Sequence, residues 1–113
     1  MTVDRKFKRH EKAAIAKVKE FIDQHPVNDK TTPELAKMVN INRNVLVKGF
    51  KKLHGSGIQE YRVRLRLEYA KLLLAEGKPV KWVAAKCLYA SQSTFCIAFK
   101  REFHITATEW LKT

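Results

Sequence analysis

The sequence predicts an all-α fold of about seven helices, with two helix-turn-helix units joined by a long central helix. Three observations predict it. Apolar residues recur at helical spacing through most segments, one long stretch is apolar on two opposite sides, and a short residue pattern occurs twice, 48 to 49 positions apart.

The stretch 58–76, IQEYRVRLRLEYAKLLLAE, organises the rest. Between 61 and 69 apolar and charged residues alternate strictly, the pattern of a half-buried strand. Three features assign it to a helix instead. Its residues are mostly Leu, Arg, Glu, Lys and Ala, with Val63 the only β-branched residue inside the alternation. The alternation is lost after Ala70, and no other strand-like run exists to pair with it. On a helix the apolar positions resolve into two stripes. One holds Ile58, Tyr61, Leu65, Tyr69 and Leu72; the other, roughly opposite, holds Val63, Leu67, Ala70 and Leu74. Such a helix is expected to lie between two bodies, one before it in the chain and one after.

Before it, 1–9 is an expected mobile basic arm carrying Arg5, Lys6, Lys8 and Arg9. From about His10 to Gln24, Ala14, Ile15, Val18, Phe21 and Ile22 share a helix face, and His25-Pro26 ends it. Thr31-Thr32-Pro33-Glu34 is a strong helix start, with a Thr cap, Pro in the first turn and Glu34 placed to close a capping box. Leu35, Ala36 and Val39 are the buried face of that short helix. Asn42 can cap the next helix, which runs to about Leu53 with Leu46, Phe50 and Leu53 on one face, and Gly55-Ser56-Gly57 ends it. A short helix, a tight turn and a second helix make a helix-turn-helix unit. The expected division is 10–57 for this first unit, 58–76 for the linking helix and 77–113 for a second unit.

After Gly77-Lys78-Pro79 the arrangement returns. Val80, Val83, Ala84 and Leu88 make a short apolar face, and Tyr89-Ala90-Ser91 is the turn. Leu46-x-x-x-Phe50-Lys51 is echoed by Phe95-x-x-x-Phe99-Lys100 at an offset of 49, and Ala36 by Ala84 at 48, so the second turn is one residue longer. Thr106-x-x-Glu109 is a capping box that opens a last helix carrying Trp110.

Composition narrows the function. Twenty-three Lys and Arg against eleven Asp and Glu give a net charge of +12, which favours a polyanionic partner. The hydrophobic fraction of 45% argues against disorder. No apolar run approaches the length of a membrane span, and MTVDRKFKRH is not followed by the apolar core of a signal peptide. Cys87 and Cys96 match neither a zinc spacing nor a disulfide framework, which suggests a reduced, cytoplasmic setting. His10, His25, His54 and His104 are scattered at helix ends with no nucleophile or paired carboxylate at useful spacing. No catalytic residue, metal or cofactor is therefore expected.

Taken in order, Leu35-Ala36, Leu46-x-x-x-Phe50-Lys51, Gly55, Tyr61, Arg66-Leu67-x-x-Ala70-x-x-Leu73-Leu74 and Gln92-Ser93-x-Phe95-x-x-x-Phe99-Lys100 resemble the DNA-binding domain of the AraC/XylS family of bacterial transcription regulators. The resemblance runs from about residue 13 to 112. It implies an all-α domain of two helix-turn-helix units, a double-stranded DNA partner, a DNA-binding unit that works as a monomer, and contact with RNA polymerase. Members commonly attach this domain to a ligand-sensing or dimerising domain for which this chain has no room, so it is a stand-alone regulator or a piece of a longer one. The family pattern has Gly where Leu88 and His104 stand, Pro at Ala107, and an aromatic-Arg pair at Trp110-Leu111. Losing two glycines implies turns that need less positive φ, or strain.

On the first recognition helix Asn44, Val47 and Lys48 are assigned to bases and Arg43, Lys51 and Lys52 to phosphates. Asn pairs with adenine, Lys with guanine, and Val touches a thymine methyl. On the second, Gln92, Ser93, Cys96 and Ile97 are assigned to bases and Lys100 and Arg101 to phosphates. The plainer reading of each charged residue is a solvated surface, and of Val47 and Ile97 partial packing. Cys96 and Ile97 offer only apolar contacts, so the second helix should supply little hydrogen-bonded specificity. A central helix of roughly 19 residues spans about 28 Å, which suits recognition helices in successive major grooves. Two rivals remain at this point, a non-specific architectural nucleic-acid binder and a basic protein-interaction module.

Overall fold

The computed structural model describes residues 6–113, and every regular element among them is helical. The order is α1 (Arg9–Gln24), α2 (Thr32–Met38), α3 (Arg43–His54), α4 (Ile58–Ala75), α5 (Val80–Lys86), α6 (Gln92–Phe103) and α7 (Ala107–Leu111). Residues 1–5 of the expected arm lie outside the described residues. Of the remainder, Lys8 donates its backbone N–H to the Glu11 carboxylate at 2.9 Å and Arg9 opens α1. No helix among the described residues is long and apolar enough to cross a membrane. The chain divides into two compact units, the first ending at Tyr61 and the second beginning at Arg62.

In the first unit α1 buries Ala14, Ile15, Val18 and Ile22, while Phe21 is half-buried and stacks on His25 with ring centroids 4.7 Å apart. α2 starts as its sequence predicts. Glu34 accepts from the Thr31 N–H at 2.9 Å, and Thr31 Oγ1 accepts from the Glu34 N–H at 3.3 Å. Asn42 caps α3 by accepting from the Asn44 N–H at 2.7 Å, and Gly55 ends it at φ 83°. α3 passes so close to α1 that a Cβ on Gly49 would collide with the Ile15 side chain. A larger residue there would require the end of the Ile15 side chain to shift.

The buried stripe of α3 differs from the expected one at its end. Leu46 and Phe50 are fully buried, but Leu53 is 41% exposed. His54 takes the inward place, its ring edge-on to Phe50 at 4.8 Å, so the stripe runs i, i+4, i+8. Val45, which the periodicity did not single out, is buried as well.

α4 contributes to both units. Its first turn belongs to the first: Ile58 is buried, the Tyr61 ring lies 5.5 Å from Phe50, and the Tyr61 hydroxyl donates to Asp23. Gln59 Nε2 donates to Thr32 Oγ1 at 2.9 Å. From Arg62 onward α4 is part of the second unit, where Leu67, Ala70, Leu73 and Leu74 are buried. These four form one stripe, and Leu72, well around the helix from it, is 63% exposed instead of buried. Arg62, expected on a charged arc, is buried, and desolvation holds its guanidinium pKa below the ordinary value.

The second unit repeats the first with different residues. Phe95 and Phe99 occupy the places of Leu46 and Phe50, and Phe103 packs edge-on against Phe99 at 4.7 Å as His54 does against Phe50. The Lys71 ammonium lies 4.0 Å from the Phe103 ring centroid and 5.5 Å from that of Trp110. Arg64 pairs with Glu102 at 3.5 Å. Thr106 and Glu109 close the last capping box, the Thr106 hydroxyl donating to Glu109 at 2.8 Å and accepting from its N–H at 3.1 Å. Four residues separate α2 from α3 and five separate α5 from α6, as the two offsets require.

The missing glycines resolve as strain. Leu88 and His104 hold φ of 68° and 62°. Asn40, the counterpart of Leu88, holds 58°. Both short helices end alike, with Ile41 N–H on Ala36 C=O at 3.0 Å and Tyr89 N–H on Ala84 C=O at 2.9 Å. The turn leaves Leu88 48% exposed, correcting the expectation that it lines the core, and Cys87 is buried in its stead. Left-handed backbone costs a residue with a Cβ about 1–2 kcal/mol, and Asn is among the residues that visit it most readily. Leu88→Asn should therefore raise stability by about 1 kcal/mol and Asn40→Leu lower it by a similar amount. Denaturant titrations check this; a neutral or opposite pair of shifts would contradict it.

His54 sets a second expectation. Burial first, and then the nearby Lys19 ammonium, hold its imidazole below the ordinary 6.5, with Asp23 opposing. The unfolded chain thus binds a proton near pH 6.5 that the folded chain refuses until lower pH. Stability is lost as pH falls from 6.5 toward the folded value. His54→Phe, which copies Phe103, should remove that part of the decline when unfolding is compared at about pH 7.5 and about pH 5.5. An unchanged decline would show that His54 is not its source.

Candidate nucleic-acid interface

The outward faces of α3 and α6 follow from what their inward faces bury. With Leu46 and Phe50 in the first core, Arg43, Asn44, Lys48, Lys51 and Lys52 are all exposed and Val47 is half-buried. With Phe95 and Phe99 in the second core, Gln92, Ser93, Lys100 and Arg101 are exposed, Cys96 is half-buried, and Ile97 is 60% exposed. Every residue singled out from the sequence therefore reaches the surface, and within each unit the set lies on one helix. Ile97, for which partial packing was the plainer reading, is among the most exposed large apolar side chains of the described residues.

Caps fix where each outward face starts. Asn42 holds the first turn of α3 through the Asn44 N–H, and the Arg43 guanidinium reaches the Asn44 side-chain oxygen at 3.5 Å. Ser91 does the same for α6, accepting from the Thr94 N–H at 3.1 Å with its hydroxyl 2.8 Å from that of Thr94. From there the two helices match position for position at an offset of 49: Arg43 with Gln92, Asn44 with Ser93, Val47 with Cys96, Lys48 with Ile97, Lys51 with Lys100, Lys52 with Arg101. The basic pair at the third turn is common to both. The residues before it differ, since the first unit presents a guanidinium, an amide and an ammonium where the second presents an amide, a hydroxyl and an isoleucine.

The two cysteines differ in access, Cys96 being half-buried on the α6 face and Cys87 lying in the core. The Cys87 thiol is buried, and burial pushes its pKa up, away from reactivity. One lining residue was missed from the sequence. Thr106 borders an open hollow with Cys96, Ile97, Lys100 and Arg101. In the sequence it read only as a helix cap, and its place beside α6 depends on the turn at His104.

Comparison with known proteins agrees with this architecture. A family described as a helix-turn-helix domain, of the AraC type, matches residues 35–113. A probable transcriptional regulator, LumQ of Photobacterium leiognathi, is 31% identical over 91% of this chain and 42% of its own. The lactose operon transcription activator of Staphylococcus xylosus is 30% identical over 80% of this chain and 33% of its own. The chain thus spans less than half the length of these relatives. Among solved structures, an AraC-type DNA-binding domain-containing regulator from Chromobacterium violaceum shares the fold with a TM-score of 0.81 at 22% identity, over 93% of this chain and 95% of that one. The DNA-binding domain of the global transcriptional factor AdpA, solved with a target DNA, has a TM-score of 0.79 at 21% identity, over 88% of this chain and 90% of that one.

The inward and outward assignments separate in a stability measurement. Leu46→Ala should cost about 2–5 kcal/mol through the cavity it leaves, whereas Lys48→Ala, two positions away on the exposed side, should change the melting temperature little. Thermal melts with the two effects exchanged would show the helix phase to be wrong.

Proposed function

The chain belongs to the AraC-type helix-turn-helix family, and from that premise we propose that it is a sequence-specific DNA-binding transcription regulator. The observation that carries this reading is the repeated outward face: two capped helices, each with polar or apolar residues in its first turns and a basic pair in its third. Half or more of the hydrogen bonds to a duplex go to phosphate and sugar, and base edges supply the sequence information. Lys51 and Lys52 on α3, and Lys100 and Arg101 on α6, are proposed to hold phosphates, as is Arg43.

Asn44 and Lys48 are proposed to donate to adenine and guanine edges, with Val47 against a thymine methyl. Gln92, Ser93, Cys96 and Ile97 are the proposed readers of the second unit, each recognition helix taking a major groove of its own. No second copy of the chain is required for this. As a transcription regulator it would also meet RNA polymerase.

The charge excess makes the test direct. If about 5–8 phosphates are neutralised, log K should fall with log salt at a slope of about −5 to −7. Lys48→Ala should weaken binding to a preferred duplex by about 1–3 kcal/mol and relax the sequence preference at one position. Fluorescence anisotropy between about 50 and 200 mM salt measures both; a slope near zero would remove the nucleic-acid reading.

A further inference from the structure

The hollow beside α6 has a chemistry that its basic neighbours do not explain. It is an open depression of about 470 Å³ lined by Cys96, Ile97, Lys100, Arg101 and Thr106. Lys100 and Arg101 give it a cationic margin, which suits a polyanion. Its middle is different. Ile97 is 60% exposed and Cys96 half-buried, one turn before the basic pair. The Thr106 hydroxyl is committed to Glu109, at 2.8 Å as donor and 3.1 Å as acceptor from the backbone. An isoleucine can pair with neither a phosphate nor the hydrogen-bonding edge of a base. Pressed against guanine O6 or the cytosine amino group, it would strip water from a polar atom and return no hydrogen bond. The major groove holds one group that it can cover with gain, the C5-methyl of thymine.

Resting on the DNA-binding reading above, we propose that the second recognition helix reads thymine by its methyl group, through Ile97 and Cys96. Lys100 and Arg101 grip the backbone and set the hollow over the base edges. The first unit reads differently at the same register, because Lys48 stands where Ile97 does and can donate to a base acceptor. The two helices thus divide the work, one by hydrogen bonds and one by apolar contact.

Deoxyuridine tests this, since replacing thymine removes the methyl and nothing else. The whole chain is titrated against a duplex obtained by random-site selection, with each thymine replaced by deoxyuridine in turn. One or two positions in the half facing α6 should lose about four-fold in affinity, the ~0.8 kcal/mol of one buried methyl. Ile97→Ala, checked by a thermal melt, should bind the thymine duplex more weakly. It should also distinguish thymine from deoxyuridine less than the wild type does at those positions, Cys96 keeping part of the contact. Salt-dependent binding with no such difference in wild type, or a difference undiminished in Ile97→Ala, overturns the methyl reading and leaves DNA binding standing. A selection that enriches no duplex overturns it too. Loss of salt-dependent duplex binding altogether overturns both readings.

Discussion

The inward stripe of α3 in one unit and of α6 in the other is the constraint on which the remaining features depend. Leu46, Phe50 and His54 in one unit, and Phe95, Phe99 and Phe103 in the other, follow one another at intervals of four residues. Ring pairs at 4.8 Å and 4.7 Å close the two stripes at matching interplanar angles of 66° and 64°. Burying a side chain the size of Phe or Leu is worth roughly 1.5–3 kcal/mol, so rotating either helix by one position would forfeit several such contributions at once. The rotation of the helix decides which side chains meet solvent. The core thereby determines the outward face of each helix.

That separation explains how two units with one skeleton can differ in chemistry. The capping side chain, the buried pair, the closing ring and the basic pair recur at an offset of 49, while the residues exposed between them are free to change. Lys48 and Ile97 are the sharpest contrast. The second unit also carries backbone strain that the first largely avoids. Its turn between α5 and α6 uses Leu88 where the first uses Asn40, and α6 ends on His104 where α3 ends on Gly55. Its three-phenylalanine stripe and the Lys71 ammonium over Phe103 and Trp110 add contacts that the first unit does not match residue for residue.

Local signals in the sequence were the easiest to read. The caps at Thr31, Asn42 and Thr106 and the stop at Gly55 depend on bonds within a few residues, so the residue types at their spacing announce them. The outward positions were also legible, because they are what remains once Leu46, Phe50, Phe95 and Phe99 are placed inside. Errors fell where the partner lies far away in the chain. Hydrophobicity and helical spacing put Leu53, Leu72 and Leu88 inside, yet each is more than 40% exposed. At the first, His54 has the better angle onto Phe50. At the second, the side of α4 that packs Ile58 and Tyr61 in the first unit meets solvent by Leu72, while Leu73 lies on the buried side. At the third, a left-handed turn points the side chain outward. Thr106 escaped for the same reason, since its position beside Cys96 and Ile97 is set by a turn and not by spacing along one helix.

The account rests on two faces that read unequally, and a random-duplex selection with the whole chain at near-physiological salt measures that inequality directly. It predicts enriched sites with one sharp half, specified at several positions by Asn44 and Lys48, and one softer half whose remaining preference is for thymine. Equal information in both halves, or no enriched sequence at all, would contradict it.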